Sequence, residues 1–189
     1  MIQARNALCA LAAALFALHA AAAPVVYTLD PDHSFVQFEV LHFGTSTIRG
    51  RFGPIAGEVT LDREAGSGVI RITVDTASVS TGWRNFDGRL READLLASAD
   101  FPKAVFASER LRFDGERLAE VSGTLELRGS SHPLVLRALH FGCEPGKEPQ
   151  VCGGDFEAEL QRSAYGMVYL LPFVGDSVRL LVQVQGRAR

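Results

Sequence analysis

Beyond the first two dozen residues, the side chains best suited to chemistry are four histidines (His33, His42, His132 and His140), two cysteines (Cys143 and Cys152) and acidic pairs such as Glu157 and Glu159. Three converging imidazoles would hold a zinc ion, but none of the four shows the paired spacing that puts two ligands on one face. Their positions suit structural work instead, with His33 and His132 beside turns and His42 at the end of an extended run. Glu157 and Glu159 alternate with apolar neighbours, which places them on a solvated strand face rather than in an acid–base pair. The chain has no Gly-x-Ser-x-Gly elbow, no His-Glu-x-x-His, no Cys-x-x-Cys and no phosphate-cradling glycine loop. No catalytic residue, metal ligand or cofactor site is predicted.

The compartment bears on the cysteines. Arg5 precedes an apolar stretch from Ala7 to Leu18, and Ala20 to Ala23 offers small residues where a signal peptidase reads. This layout predicts a signal peptide over residues 1–23, with cuts after Ala20 or Ala22 as alternatives. Cys9 lies inside the apolar region without a lipobox before it, and is expected to leave with the peptide. Removing 23 of the 189 residues leaves 166, enough for one domain with a full core, over residues 24–189. The protein is therefore expected in the periplasm, where Cys143 and Cys152 would form a disulfide across a loop containing two prolines and a glycine. Such a bridge would contribute about 2–3 kcal/mol. A two-cysteine metal site would need His140 and a tighter spacing. The net charge of −3, with basic residues scattered singly, excludes nucleic acid as an electrostatic partner. No second apolar segment would anchor the mature chain in a membrane, although transient membrane contact and a homodimer are both compatible with it.

The elements that would position these residues are mostly short strands. In Asp30–Phe52, Val36, Phe38 and Val40 share one phase while Gln37 and Glu39 take the other. The same alternation recurs over 25–29, 48–52, 55–62, 69–75, 103–113, 118–127, 133–141, 155–161 and 178–185, punctuated by turns such as Asp114-Gly115 and Glu64–Gly68. The period changes near residues 84–93, where Phe86, Leu90 and Ala93 fall at helical spacing, leaving Asp87, Arg89 and Arg91 for the wet face or a barrel mouth. Trp83, the one tryptophan, reads as a cap on the core. Many short strands with one helix predict an all-β antiparallel barrel or sandwich. Small residues in the apolar phase, Gly57, Gly123 and Ala158, either leave room for a cavity or mark bends.

The order of these pieces resembles the YceI-like family, periplasmic lipocalin-like polyisoprenoid-binding proteins. Asp30–Ser34 and His42-Phe43-Gly44 resemble its opening, Gly50-Arg51-Phe52 and Gly57-Glu58-Val59 its second block, and Asp75–Gly82 the block before its helix. Arg84, Asp87 and Leu90, then Asp100-Phe101-Pro102 with Val105–Ser108, follow in the same order. Val121–Leu125, Arg128-Gly129, Arg162 and Tyr165-Gly166-Met167 complete a match over essentially the whole mature chain. The resemblance implies an extended eight-stranded antiparallel barrel with an apolar lumen for a polyprenyl chain or quinone, bound as ligand for carriage or sequestration. For such a ligand the lumen contacts fall to Phe38, Val40, Phe52, Leu95, Leu96, Phe106 and Met167, with His42 and Arg162 near a polar head group. Leu95-Leu96 stands where the family usually has paired phenylalanines, which changes the shape of the lumen. Two other function classes remain open: an enzyme acting on an apolar lipid in the same cavity with His42 or an acidic residue as base, and a secreted interaction module whose barrel is filled by its own side chains.

Overall fold

The computed structural model describes residues 23–62 and 65–189. The predicted signal peptide up to residue 22, Cys9 included, and residue 64 of the turn predicted at 64–68 lie outside them. Ten antiparallel strands make one sheet: β1 Val25–Leu29, β2 Phe35–His42, β3 Ser46–Phe52, β4 Ala56–Asp62, β5 Ser67–Asp75, β6 Lys103–Asp114, β7 Arg117–Leu127, β8 Ser130–Cys143, β9 Val151–Gln161 and β10 Val174–Ala188.

Ten strands give an eight-position barrel because two positions are each occupied twice. β1 and β2 lie end to end, broken at Asp30-Pro31-Asp32, and both pair with β10. β3 and β4 lie end to end opposite them, broken at Gly53-Pro54, so that β2 pairs with β3 and β1 with β4. From β4 the neighbours run β5, β6, β7, β8, β9 and β10, and β10 returns to β1 through Tyr27 opposite Ala188, closing the ring. The closed eight-strand antiparallel barrel is thus the expected one, and it decides against the sandwich.

Closure is complete at one end only. β5 pairs with β4, not with β3. β3 is tied there to Ser80, whose N–H and carbonyl bond the carbonyl and N–H of Arg51 at 2.9 and 2.8 Å. At the narrow end the interior is filled by Tyr27, Leu61 and Cys152, with Leu111, Phe113 and Phe141 packed against them. The disulfide joins Cys143 and Cys152, which face each other across β8 and β9 at a Cα separation of 4.0 Å. The strands run further than the predicted 133–141 and 155–161, and the loop between them holds only 144–150.

The glycines in the apolar phase are bends rather than gaps. A Cβ on Gly123 would lie 2.6 Å from the Phe106 ring and closer still to the Ala107 carbonyl, and one on Gly50 would lie 2.5 Å from the Phe38 ring. Each phenylalanine therefore lies flat over a neighbouring strand's glycine, which lets the sheet coil tightly enough to close. Gly57 likewise abuts the carbonyl of Arg71. Gly123→Ala is expected to lower stability by about 2–4 kcal/mol, since neither the carbonyl nor the ring can withdraw without breaking the β6–β7 ladder. A denaturant midpoint equal to that of the wild type would refute it.

The outer wall carries a belt of alternating charge. Glu39 on β2 accepts from Arg49 on β3 (2.7 Å) and from Arg179 on β10 (3.3 Å). Arg179 also binds Glu157 on β9 (2.9 Å), which pairs with Arg137 on β8. Glu120 on β7 sits opposite Arg137 and binds Arg112 on β6 at 3.1 Å. Arg49 holds the Glu39 carboxyl below the usual carboxylate range, with Arg179 adding to it; Arg179 and then Arg137 do so for Glu157, and Arg112 for Glu120. Because these folded-state values are depressed, their contribution is full at neutral pH and is lost as pH falls below about 4. The urea midpoint should drop over that interval, less so at about 1 M salt. A Glu39→Gln/Glu157→Gln variant should show a flatter profile, and an unchanged profile would count against the belt.

Candidate functional site

The open end leads into a chamber of about 250 Å³ inside the barrel. Its walls are the inward phase of the strands: Val36, Phe38 and Val40 from β2, Ile48 and Phe52 from β3, Ile72 and Val74 from β5, Ala104 and Phe106 from β6. Leu125, Leu127, Leu134, Leu136 and Leu160 continue the wall, and Val178, Leu180 and Val182 close it from β10. Polar and charged lining groups are few and sit at the strand ends near the mouth: His42, Thr76, Arg89, Arg162 and Tyr169.

All nine residues predicted at the ligand site line this one chamber: Phe38, Val40, His42, Phe52, Leu95, Leu96, Phe106, Arg162 and Met167. Strand phase alone delivers Phe38, Val40, Phe52 and Phe106. Leu95 and Leu96 arrive by another route. The helix α1 spans Arg84–Leu90 and ends a turn short of the predicted residue 93. There the chain folds back, with the Leu96 N–H donating to the Leu90 carbonyl (3.0 Å) and the Ala97 N–H to the Glu92 carbonyl (2.9 Å). Ala97 takes a left-handed φ of 48°, and the two leucines turn inward beneath the helix.

The helix lines one side of the mouth, which corrects two expectations and decides a third between its alternatives. Asp87 is buried, not wet: its carboxylate accepts from the N–H (2.6 Å) and hydroxyl (2.7 Å) of Thr81. The Thr81 hydroxyl holds the Asp87 carboxyl below its ordinary range. Arg89 reaches the chamber, gripped by both oxygens of Asp94 at 2.6 Å and lying 4.3 Å over the Tyr169 ring. Trp83 does not cap the core. It is 65 % exposed and stacks on Phe86, ring centroids 6.0 Å apart, while Phe86 itself lines the chamber.

A lid covers the remaining side of the mouth, formed by the segment between β9 and β10. A 3-10 turn at Arg162–Tyr165 ends on Gly166, at φ 75°. The Arg162 side chain is buried, and three of its nitrogens donate to the carbonyls of Met167 (2.5 Å), Gly175 (2.8 Å) and Val174 (2.9 Å). Burial lowers its affinity for the proton, against the pull of Asp176. Asp176 accepts from the Ser163 N–H (2.8 Å) and hydroxyl (2.6 Å), and the hydroxyl holds its carboxyl low. Each nitrogen of the Arg162 guanidinium thus donates to a carbonyl, one in the lid and two at the start of β10, which ties the lid to the barrel at the mouth. His42 is half-buried at the rim, with its ring edge-on to Phe43 at 4.6 Å. His33 meets Asp30 at 3.2 Å, and His132 Nε2 lies 3.0 Å from the Ala164 carbonyl under the lid.

Lining residues outside the predicted ligand site include Phe86, Thr76, Val79, Tyr169 and Leu170. Tyr169 and Leu170 sit in Val168–Leu171, an apolar run with no strand or helix period, and that run just before Pro172 was the available signal.

An open-ended apolar barrel of this size can be compared with known proteins. A curated relative, protein YceI of Escherichia coli, is 30% identical over 166 residues, covering 85% of each chain. The crystal structure of BcnA from Burkholderia cenocepacia superposes with a TM-score of 0.69 at 19% identity, over 83% of this chain and 98% of that one. A polyisoprenoid-binding domain from Saccharophagus degradans, implicated in plant cell wall breakdown, gives a TM-score of 0.61 at 19% identity, over 86% of this chain and 98% of that one. The model of the YceI-like domain matches residues 27–186, from the first strand that closes the ring to the last. The chain belongs to the YceI-like family.

Proposed function

We propose that this protein holds a long isoprenoid chain, a polyprenyl lipid or quinone, in its barrel lumen and carries or sequesters it in the periplasm. The observation that carries this reading is the chamber: aliphatic and aromatic on every wall, with its polar groups confined to the rim. A tail burying ~500 Å² of apolar area gains on the order of 12 kcal/mol gross, and the ordering of tail and lid offsets much of it. Enough remains for useful affinity without a catalytic group. Binding is favoured over catalysis because the charged groups at the mouth are already committed, Arg162 to three carbonyls and Arg89 to Asp94. The polyisoprenoid-binding neighbour points the same way. Export rests on the signal-like sequence of residues 1–23.

Native mass spectrometry of gently purified protein, followed by lipid extraction, tests the reading. A stoichiometric isoprenoid adduct is the expected result. A bare mass that persists after incubation with quinones and polyprenyl lipids would overturn it.

A further inference from the structure

The outer wall is belted with charge, whereas the rim of the mouth also presents large apolar side chains to solvent. Six large apolar side chains there are more than a third exposed: Phe43 on the β2–β3 turn, Trp83 before α1, and Val168, Tyr169, Leu170 and Phe173 on the lid. They come from three separate segments yet form one crown. The Phe43 N–H donates to the Phe173 carbonyl at 2.7 Å, and their rings stack with centroids 5.8 Å apart. Tyr169 and Leu170 face both ways, lining the chamber and meeting solvent. Two crown residues are presented by strained backbone, Phe43 at φ 50° and Leu170 at φ 57°. Left-handed phenylalanine and leucine cost on the order of 1–2 kcal/mol each and persist where the surroundings impose them.

We propose that this crown docks the protein on a neutral lipid bilayer, with the mouth of the lumen against the acyl region. Exposed apolar patches of this kind mark an interaction surface. Three features favour a bilayer over a folded partner. An occupant that covers the crown also covers the mouth; a globular partner would seal it, whereas a bilayer continues the apolar lumen. Tryptophan and tyrosine are the side chains that settle at lipid–water interfaces. The charges flanking the crown are balanced, with Arg84, Arg89, Arg91 and Arg128 against Asp87, Glu92, Asp94 and Asp100, and residues 42–46 carry no Lys, Arg, Asp or Glu. The surface therefore has no cationic patch to select anionic lipid, and docking is apolar. This inference rests on the lumen reading for its purpose, but not for its test.

Trp83, the sole tryptophan, is a built-in reporter. Phosphatidylcholine vesicles free of isoprenoid should shift its emission to the blue, bring it within reach of lipid-borne quenchers, and co-sediment the protein. Added salt or anionic lipid should change none of this. Phe43→Ser/Phe173→Ser should weaken partitioning roughly tenfold. Val135→Ser/Leu139→Ser, exposed apolar positions on the outer wall, should leave it unchanged. Unshifted emission with vesicles, in protein that still retains isoprenoid, would overturn docking and leave the lumen reading intact. Vesicle binding without isoprenoid retention would do the reverse. Binding that requires anionic lipid and is lost in salt would overturn the proposal, as would a lipid-independent blue shift that grows with protein concentration, the mark of a second copy on the crown.

Discussion

Replacing Phe106 by aspartate is expected to abolish retention of an apolar ligand. Phe106 lies at the middle of the chamber wall, buried, with its ring over Gly123 and its neighbours Ile72 and Leu125 opposite it on β5 and β7. Loss of the ring alone costs roughly 3–5 kcal/mol, and the buried carboxyl adds a desolvation penalty that it limits by staying protonated. A large part of a domain's usual stability is at stake, so binding and folding must be separated. Ala104→Phe does so. Ala104 lines the same chamber one inward position before Phe106, and a ring there occupies ligand space without introducing charge. We expect at least a tenfold loss of isoprenoid affinity, with near-UV circular dichroism and the denaturant midpoint close to wild type. Isoprenoid affinity unchanged in a folded Ala104→Phe protein would remove the lumen as the binding site.

The second large effect belongs to Arg162. Arg162→Ala strands three carbonyls that now accept from a charged fork, Met167 in the lid and Val174 and Gly175 at the start of β10, at about 1–3 kcal/mol for each polar group left buried without a partner. Non-additivity and water entry reduce that sum, and a loss of about 3–5 kcal/mol is expected. Arg162→Lys should recover little of it, because an ammonium cannot span three carbonyls held in the plane of a guanidinium. The damage should be local. Hydrogen exchange should rise across residues 163–175 while β6 to β8 stay protected, and uniform loss of protection would show that Arg162 supports the whole barrel instead.

Most of the wall was legible in the sequence because a strand's period of two assigns each side chain to a face. Val36, Phe38 and Val40 face inward for that reason alone, and so do Leu125 and Leu127. Closure was not legible locally, since Tyr27 and Ala188 meet from opposite ends of the chain. The family resemblance, not the pattern, chose barrel over sandwich. Where the reading failed or stayed open, one residue had two roles. Gly123 could be room for a cavity or a bend, and only the packing shows it as the seat of the Phe106 ring. Asp87 looked solvated because carboxylates usually are, and only the Thr81 donors make its burial tolerable. Arg162 lines the chamber, but neither its sequence position nor its charge reveals that each of its nitrogens donates to a backbone carbonyl. The lid as a whole carried no periodic signal.

The filled narrow end has a kinetic corollary. A vessel with one opening admits and releases by the same path, so a newcomer has no rear access from which to push an occupant out. Turnover of the bound molecule is then set by its own departure, and raising the supply of a competitor hastens nothing once every vacancy is captured. Exchange curves should reach a plateau whose height is the escape rate, which makes residence time, more than affinity, the quantity that such a barrel tunes.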